Sequence, residues 1–195
     1  MKKVLHTKER IIFTTVEIIN ELGIQGLSTR EIAKGLNISE GTIFKHFNTK
    51  NEILLAVLDH YSQFDEDIIK TTELKNLNPK EAILYFVNAY AEYYENYQEI
   101  TAITLCIEVF YNIEELSKKI YDIFTTRINF IEKKIHTGVE MNLIKEVEGI
   151  DNLAEIIHGT IIYKIIKWRI NKFNFSIKEE VNNSIQSVLN NYFKS

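Results

Sequence analysis

Apolar residues in this chain recur at intervals of three and four and seldom alternate, so the pattern predicts helices rather than strands. Ile11, Ile12, Thr15, Ile18, Ile19 and Leu22 form one stripe of a first helix over residues 8–22. Gly23 closes it, since glycine takes a positive φ without a Cβ clash. Ile83, Phe86, Val87, Tyr90, Tyr94 and Tyr97 mark a long helix over residues 79–97. A further helix carries Leu116, Ile120, Ile123, Phe124, Ile128, Ile131 and Ile135, and a last one carries Ile177, Val181, Ile185, Val188, Leu189 and Tyr192.

Helix starts are legible from capping chemistry. Ser28 with Glu31, Thr49 with Glu52 and Ser176 with Glu179 match a box in which the first side chain accepts from an early amide and the glutamate reaches back. Asn78 before Pro79, with Glu81 following, makes a fourth start, because a proline there loses no needed hydrogen bond. Asp151 is expected to cap a helix running to about Arg169. Short helices come first and long ones after. The expected architecture is all-α: an N-terminal three-helix head with a helix-turn-helix over residues 1–50, and a larger helical bundle over residues 51–195.

Composition narrows the class. With 195 residues and 45% hydrophobic content, the chain can bury a core, and one proline with seven glycines agrees with helices. Cys106 is the one cysteine and has no internal disulfide partner, and no opening stretch reads as a leader, so an intracellular, cytoplasmic location is expected. The most apolar stretch, IIHGTIIYKIIKW, is interrupted by His158, Lys164 and Lys167, and no membrane span is expected. Charge is uneven: residues 1–50 hold eight basic and five acidic residues, net +3, while the remainder nets −7 within an overall −4. A basic head on an acidic body removes the objection that the overall charge raises against a nucleic-acid partner.

Residues 28–47 read STREIAKGLNISEGTIFKHF. Ile32, Ala33 and Leu36 form the inner face of a short helix, and Asn37 tolerates the left-handed turn that follows. Ile38 plugs that turn and Ser39 caps a second short helix. Ile43 and Phe47 face inward with Leu36 and Ile38, leaving Thr42, Lys45 and His46 outside, which is a helix-turn-helix pattern. Gly41 lets the backbone approach a phosphate and Thr42 can donate a hydroxyl to one. Lys45 can reach a phosphate or the acceptor edge of guanine, His46 can donate to a phosphate, and Lys50 adds a backbone contact.

Over residues 8–58 the chain resembles the N-terminal domain of the tetracycline-repressor (TetR) family of bacterial transcription regulators. The resemblance lies in the glycine after the first helix, REIA, GTIFKHF and the K-x-E-I-L entry to the next helix. It implies that Thr29, Gly41, Thr42, Phe44, Lys45, His46 and Lys50 lie at or near double-stranded DNA carrying a palindromic operator. Phe44 stands where the family usually has a tyrosine, so only ring contacts remain there; Asn37 replaces a common glycine, and Thr14 and Thr15 replace common alanines.

The resemblance further implies a body that binds a small apolar or aromatic molecule and forms a homodimer through its last two long helices, as a ligand-released repressor. The expected dimer residues are Gly159, Ile162, Ile166, Ile185, Val188 and Leu189. Aromatic stripes in the body serve equally as core or as a pocket lining. Candidate ligand-contacting residues are Tyr90, Tyr94, Glu108, Phe110, Arg127 and His158, with Asn88 a further polar candidate. An alternative is a TetR-like protein whose body binds a protein partner. Five scattered histidines, no second cysteine and no glycine-rich phosphate loop predict no enzyme, no cofactor and no metal site. A nonspecific nucleoid protein would need a stronger basic excess than +3.

Overall fold

The computed structural model describes residues 6–145 and 149–194. Among these residues the regular structure is helical, apart from one isolated bridge between Ile144 and Phe193. The helices are α1 (Thr7–Leu22), α2 (Thr29–Leu36), α3 (Glu40–Phe44), α4 (Lys50–Leu74), α5 (Pro79–Asn96), α6 (Thr101–Thr104), α7 (Ile107–Tyr111), α8 (Glu114–Glu140), α9 (Leu153–Ile170) and α10 (Ile177–Tyr192). They form two compact units. The first comprises Met1–Ser62 with Glu99–Tyr121, and the second Gln63–Gln98 with Asp122–Ser195, so α4 and α8 each contribute residues to both.

In the first unit, Ile11, Ile19, Ile32 and Ile43 are buried where α1, α2 and α3 pack together, and Ile53 and Leu54 are buried at the start of α4. Thr15 is accommodated there because its hydroxyl donates to the Ile11 carbonyl at 2.7 Å. Thr14 packs against Gly35, where an added Cβ would come 3.0 Å from the Thr14 methyl. The first-helix stripe ends earlier than its pattern predicts. Leu22 is exposed, because Gly23 (φ 71°) turns the chain into a 3-10 turn over Ile24–Gly26 and Leu27 takes the buried place.

In the second unit, α10 lays Ile177, Val181, Ile185 and Leu189, one turn apart, against α5 and α9. Asn78 and Glu81 form the full reciprocal cap of α5. Ser176 accepts from the Glu179 amide at 3.2 Å and donates to Glu95 Oε1 at 2.7 Å, pinning the start of α10 to the end of α5. Tyr97 lies past the end of α5 and is exposed rather than on its buried stripe. Asp151 does not cap α9. Residues Ile150–Asn152 form a 3-10 turn after Gly149 (φ 81°), and α9 starts at Leu153.

Candidate functional site

The helix-turn-helix is assembled from local hydrogen bonds. Ser28 Oγ accepts from the Glu31 amide at 3.1 Å to open α2. At its far end Asn37 sits at φ 52°, ψ 49°, and the Ile38 amide donates back to the Ala33 carbonyl at 3.0 Å. Ser39 Oγ then accepts from the Thr42 amide at 3.2 Å to open α3. Buried Ile43 and Phe47 anchor the recognition segment. Thr49 Oγ1 accepts from the Glu52 amide at 3.1 Å, while Glu52 reaches back to the Asn48 amide at 2.8 Å, one residue before the expected cap.

This anchoring sends the expected DNA-contacting side chains outward. Gly41, Phe44, Lys45 and His46 are exposed, Phe44 at 50%, and Thr42 and Lys50 are half-buried. At Gly41 an added Cβ would meet only Ser39 Oγ, at an ordinary 3.6 Å, so the fold itself does not require a glycine and the bare backbone faces open space. The Thr29 hydroxyl donates to Glu40 at 2.8 Å and ties the first residue of α2 to the first of α3. A phosphate there would compete with a carboxylate. The Thr42 hydroxyl lies 3.0 Å from Ser39 Oγ.

The second unit gathers three of the six candidate ligand residues around one that the sequence pattern did not single out. Asp65, on α4, accepts from Arg127 Nε on α8 at 2.9 Å, with both side chains about 97–98% removed from solvent. Arg127 also lies over the Tyr90 ring of α5, 4.5 Å from its centroid. Burial pushes the Asp65 carboxyl up, against the pull of Arg127 and of a hydrogen bond from Tyr90. The signal for Asp65 was available: Leu58, Tyr61, Asp65 and Thr72 share one buried stripe of α4, and an acid on such a stripe needs a partner.

His158, on α9, adjoins this group. Its ring meets Phe124 edge-on at 5.0 Å, and burial, together with the Arg127 charge, lowers its pKa to about 4. Its Nε2 is buried without a hydrogen-bond partner. Tyr94 is also buried, with its ring 5.3 Å from that of Tyr90. Glu108 and Phe110 are not brought to this cluster: both belong to the first unit, Glu108 exposed and Phe110 buried. Asn88 lines a groove of about 630 Å³ between α5 and α10, where it donates to Asn182 at 3.0 Å.

Helix α9 is apolar on both sides. Leu153, Ile157, Ile161, Ile165 and Trp168 face the core, whereas Ile156, Tyr163 and Ile170 are 44%, 62% and 73% exposed on the stripe that holds Gly159, Ile162 and Ile166. Ile185 and Leu189, expected on a dimer face, point into their own unit at 0% exposure, because α10 uses that stripe to close on α5. Val188 remains half-exposed. Among the described residues no group of three His, Cys, Asp or Glu side chains could hold a metal ion, and no helix is long and apolar enough to cross a membrane.

Comparison with known proteins agrees with this geometry. Residues 11–57 match the family model described as bacterial regulatory proteins, tetR family, and residues 57–191 match the model of the C-terminal region of YsiA-like proteins. The chain is similar to the fatty acid metabolism regulator protein of Bacillus subtilis, at 24% identity over 92% of each chain. It shares its fold with the fatty acid degradation regulator FadR from Bacillus halodurans, with TM-score 0.83 and 21% identity over 96% of this chain and 97% of that one. FadR from Bacillus subtilis in complex with stearoyl-CoA superposes with TM-score 0.81 at 22% identity, over 93% and 97% of the two chains. A left-handed turn at Asn37, a recognition segment anchored by Ile43 and Phe47, and family matches over both halves together identify the chain as a member of the TetR family of DNA-binding bacterial transcriptional regulators.

Proposed function

We propose that this regulator is a cytoplasmic homodimeric repressor that holds a palindromic operator and releases it when a small, mainly apolar ligand, foremost a long-chain acyl compound, enters the second unit. The observation that carries the DNA part is the outward set on and beside α3, comprising Gly41, Thr42, Phe44, Lys45 and His46, set against the buried Ile43 and Phe47. Lys50 supplies a neighbouring phosphate contact, and Thr29 holds α3 in place through Glu40. We assign residues 1–50 to reading DNA and 51–195 to ligand binding and dimerisation. The acyl reading is supported by the likeness, over 92% of both chains, to a fatty acid metabolism regulator.

Two-fold DNA half-sites call for a two-fold protein. The outer stripe of α9, with Ile156, Gly159, Ile162, Tyr163 and Ile166, together with Val188 of α10, supplies the apolar face for it. A helix with apolar residues on two faces buries both, and its own unit covers only one of them. Ligand lowers operator affinity only by as much as it prefers the released state.

Selection from a random DNA pool tests the first part. A palindromic site should emerge, and Lys45→Ala should weaken binding and lower the salt dependence by about one phosphate contact per subunit. Failure to select any site, or unchanged binding by both Lys45→Ala and Thr42→Ala, contradicts the reading. Adding palmitoyl-CoA to the complex should release the selected site; a complex indifferent to acyl ligands removes that part. A body that binds a protein partner is the second reading, favoured by exposed Leu105, Ile107 and Tyr111 on α6–α7. That reading would gain if no small ligand shifted the melting temperature.

A further inference from the structure

We infer that His158 Nε2 is the hydrogen-bonding anchor, inside the second unit, for the acyl oxygen of a ligand whose remainder is apolar. The inference deepens the ligand reading above and rests on it.

The buried side of α9 consists of Leu153, Ala154, Ile157, Ile161, Ile165 and Trp168, with His158 its one ionisable member, only 6% exposed. A buried ring nitrogen with no partner is costly, and such groups are rare in folded proteins. The same helix shows the contrast. Trp168 Nε1 donates to the Phe175 carbonyl at 2.7 Å, so the fold satisfies the indole but leaves the imidazole Nε2 unmet.

The ring's described neighbour is the edge of Phe124, which offers no acceptor. Asp65, the buried carboxylate of this unit, already accepts from Arg127 and Tyr90. What is missing at Nε2 is therefore supplied from outside the chain.

The charge around the ring selects the kind of atom. Burial and the Arg127 charge keep the imidazole neutral, so it can carry its single proton on Nε2 and donate it. The Arg127 charge acts on the ring and disfavours a cation beside it, while Asp65 offsets much of that charge, so a neutral or partly negative oxygen is the acceptor the site suits. The side chains flanking His158 on the buried face of α9 are apolar, so a ligand entering among them would have to be apolar beyond its oxygen. The chemistry selected is an acyl oxygen, whether the carbonyl of a thioester or the carboxylate of a free fatty acid.

The full-length protein can be titrated calorimetrically with probes that share one sixteen-carbon tail: palmitate, palmitoyl-CoA, and the S-hexadecyl-CoA thioether, which lacks only the carbonyl oxygen. The wild type should bind palmitate or palmitoyl-CoA about tenfold or more tightly than the thioether, and which of the two binds better identifies the source of the oxygen. His158→Phe should erase that difference by weakening only the oxygen-bearing probes. His158→Gln, which keeps an N–H, should retain part of it. The Nε2 resonance of His158 should also shift on adding the tighter probe.

Equal binding of thioester and thioether by the wild type overturns the anchor while leaving the acyl reading intact. So does unchanged affinity in a His158→Phe protein that still binds the selected DNA, or an unmoved Nε2 resonance, which would mean a bound water only. If none of the probes binds while the protein still selects its operator, the acyl reading and the anchor fall together. Should His158→Phe fail to fold, the wild-type probe comparison and His158→Gln decide.

Discussion

Replacing Asp65 with alanine removes the carboxylate that accepts Arg127 Nε at 2.9 Å and leaves a guanidinium, about 2% exposed, with its charge uncompensated inside the second unit. The Tyr90 face at 4.5 Å remains beside it but carries no full charge. Breaking one side of a buried pair costs about 3–5 kcal/mol. In a protein of this size each kcal/mol moves the melting temperature by about 2–4 °C, so the melt should fall by about 6–20 °C. Removing both charges gives a different outcome. Burial is the largest influence on Asp65 and opposes its ionisation, so desolvation offsets much of the attraction within the pair. The double variant Asp65→Leu/Arg127→Met should therefore lie within about 1 kcal/mol of wild type or be more stable by about 1–4 kcal/mol. Urea unfolding followed by the fluorescence of Trp168, the chain's single tryptophan and a core residue of the same unit, reads Asp65→Ala and the four corners of the cycle: wild type, Asp65→Leu, Arg127→Met and the double variant. A loss under about 1 kcal/mol for Asp65→Ala, or a double variant as unstable as the two single losses added, would refute this account of the core.

The structure carries three further expectations. Because the folded chain holds His158 near 4 and the unfolded chain near 6.5, the unfolded state binds the extra proton first as pH falls. Stability present above pH 6.5 should therefore decline towards pH 4, by about 3 kcal/mol in all; identical pH dependence of the urea midpoints of wild type and His158→Phe would contradict it. Asn37→Val places a β-branched residue at φ 52° and should cost about 1–2 kcal/mol, whereas Asn37→Gly should be neutral or better, as a thermal melt of each will show. Ile156→Glu with Tyr163→Glu should leave circular dichroism unchanged, shift sedimentation to the monomer and weaken operator binding; a persistent dimer removes the outer stripe of α9 from the interface.

Legibility followed the range of the forces involved. Ser28, Ser39, Asn78 and Ser176 were readable as caps because each acts on an amide three residues ahead. Asn37 was readable because few residue types accept a left-handed turn. Asp151 misled because a 3-10 turn intervenes between it and α9. The short helices α6 and α7 carry no side-chain cap, and no start signal announced them. Glu108 and Phe110 were therefore grouped with the body although they pack in the first unit. For α9 the composition was informative and the orientation was not: with apolar residues on two faces, periodicity cannot tell which stripe faces the chain's own core.

The 3.6-residue period and hydrogen bonds spanning a single turn are written into the chain locally. They were enough to specify an all-helical protein, the start of most long helices, and the division of the recognition segment into anchored Ile43 and Phe47 and outward Gly41, Thr42, Phe44, Lys45 and His46. Long-range partnerships emerged with the folded chain alone: Arg127 meets Asp65, 62 positions away, Tyr90 and His158 join them, and Ile185 and Leu189 turn inward while Ile156 and Tyr163 remain outside. Pairing across such separations is selected by packing of whole helices, which leaves no mark in any local stretch.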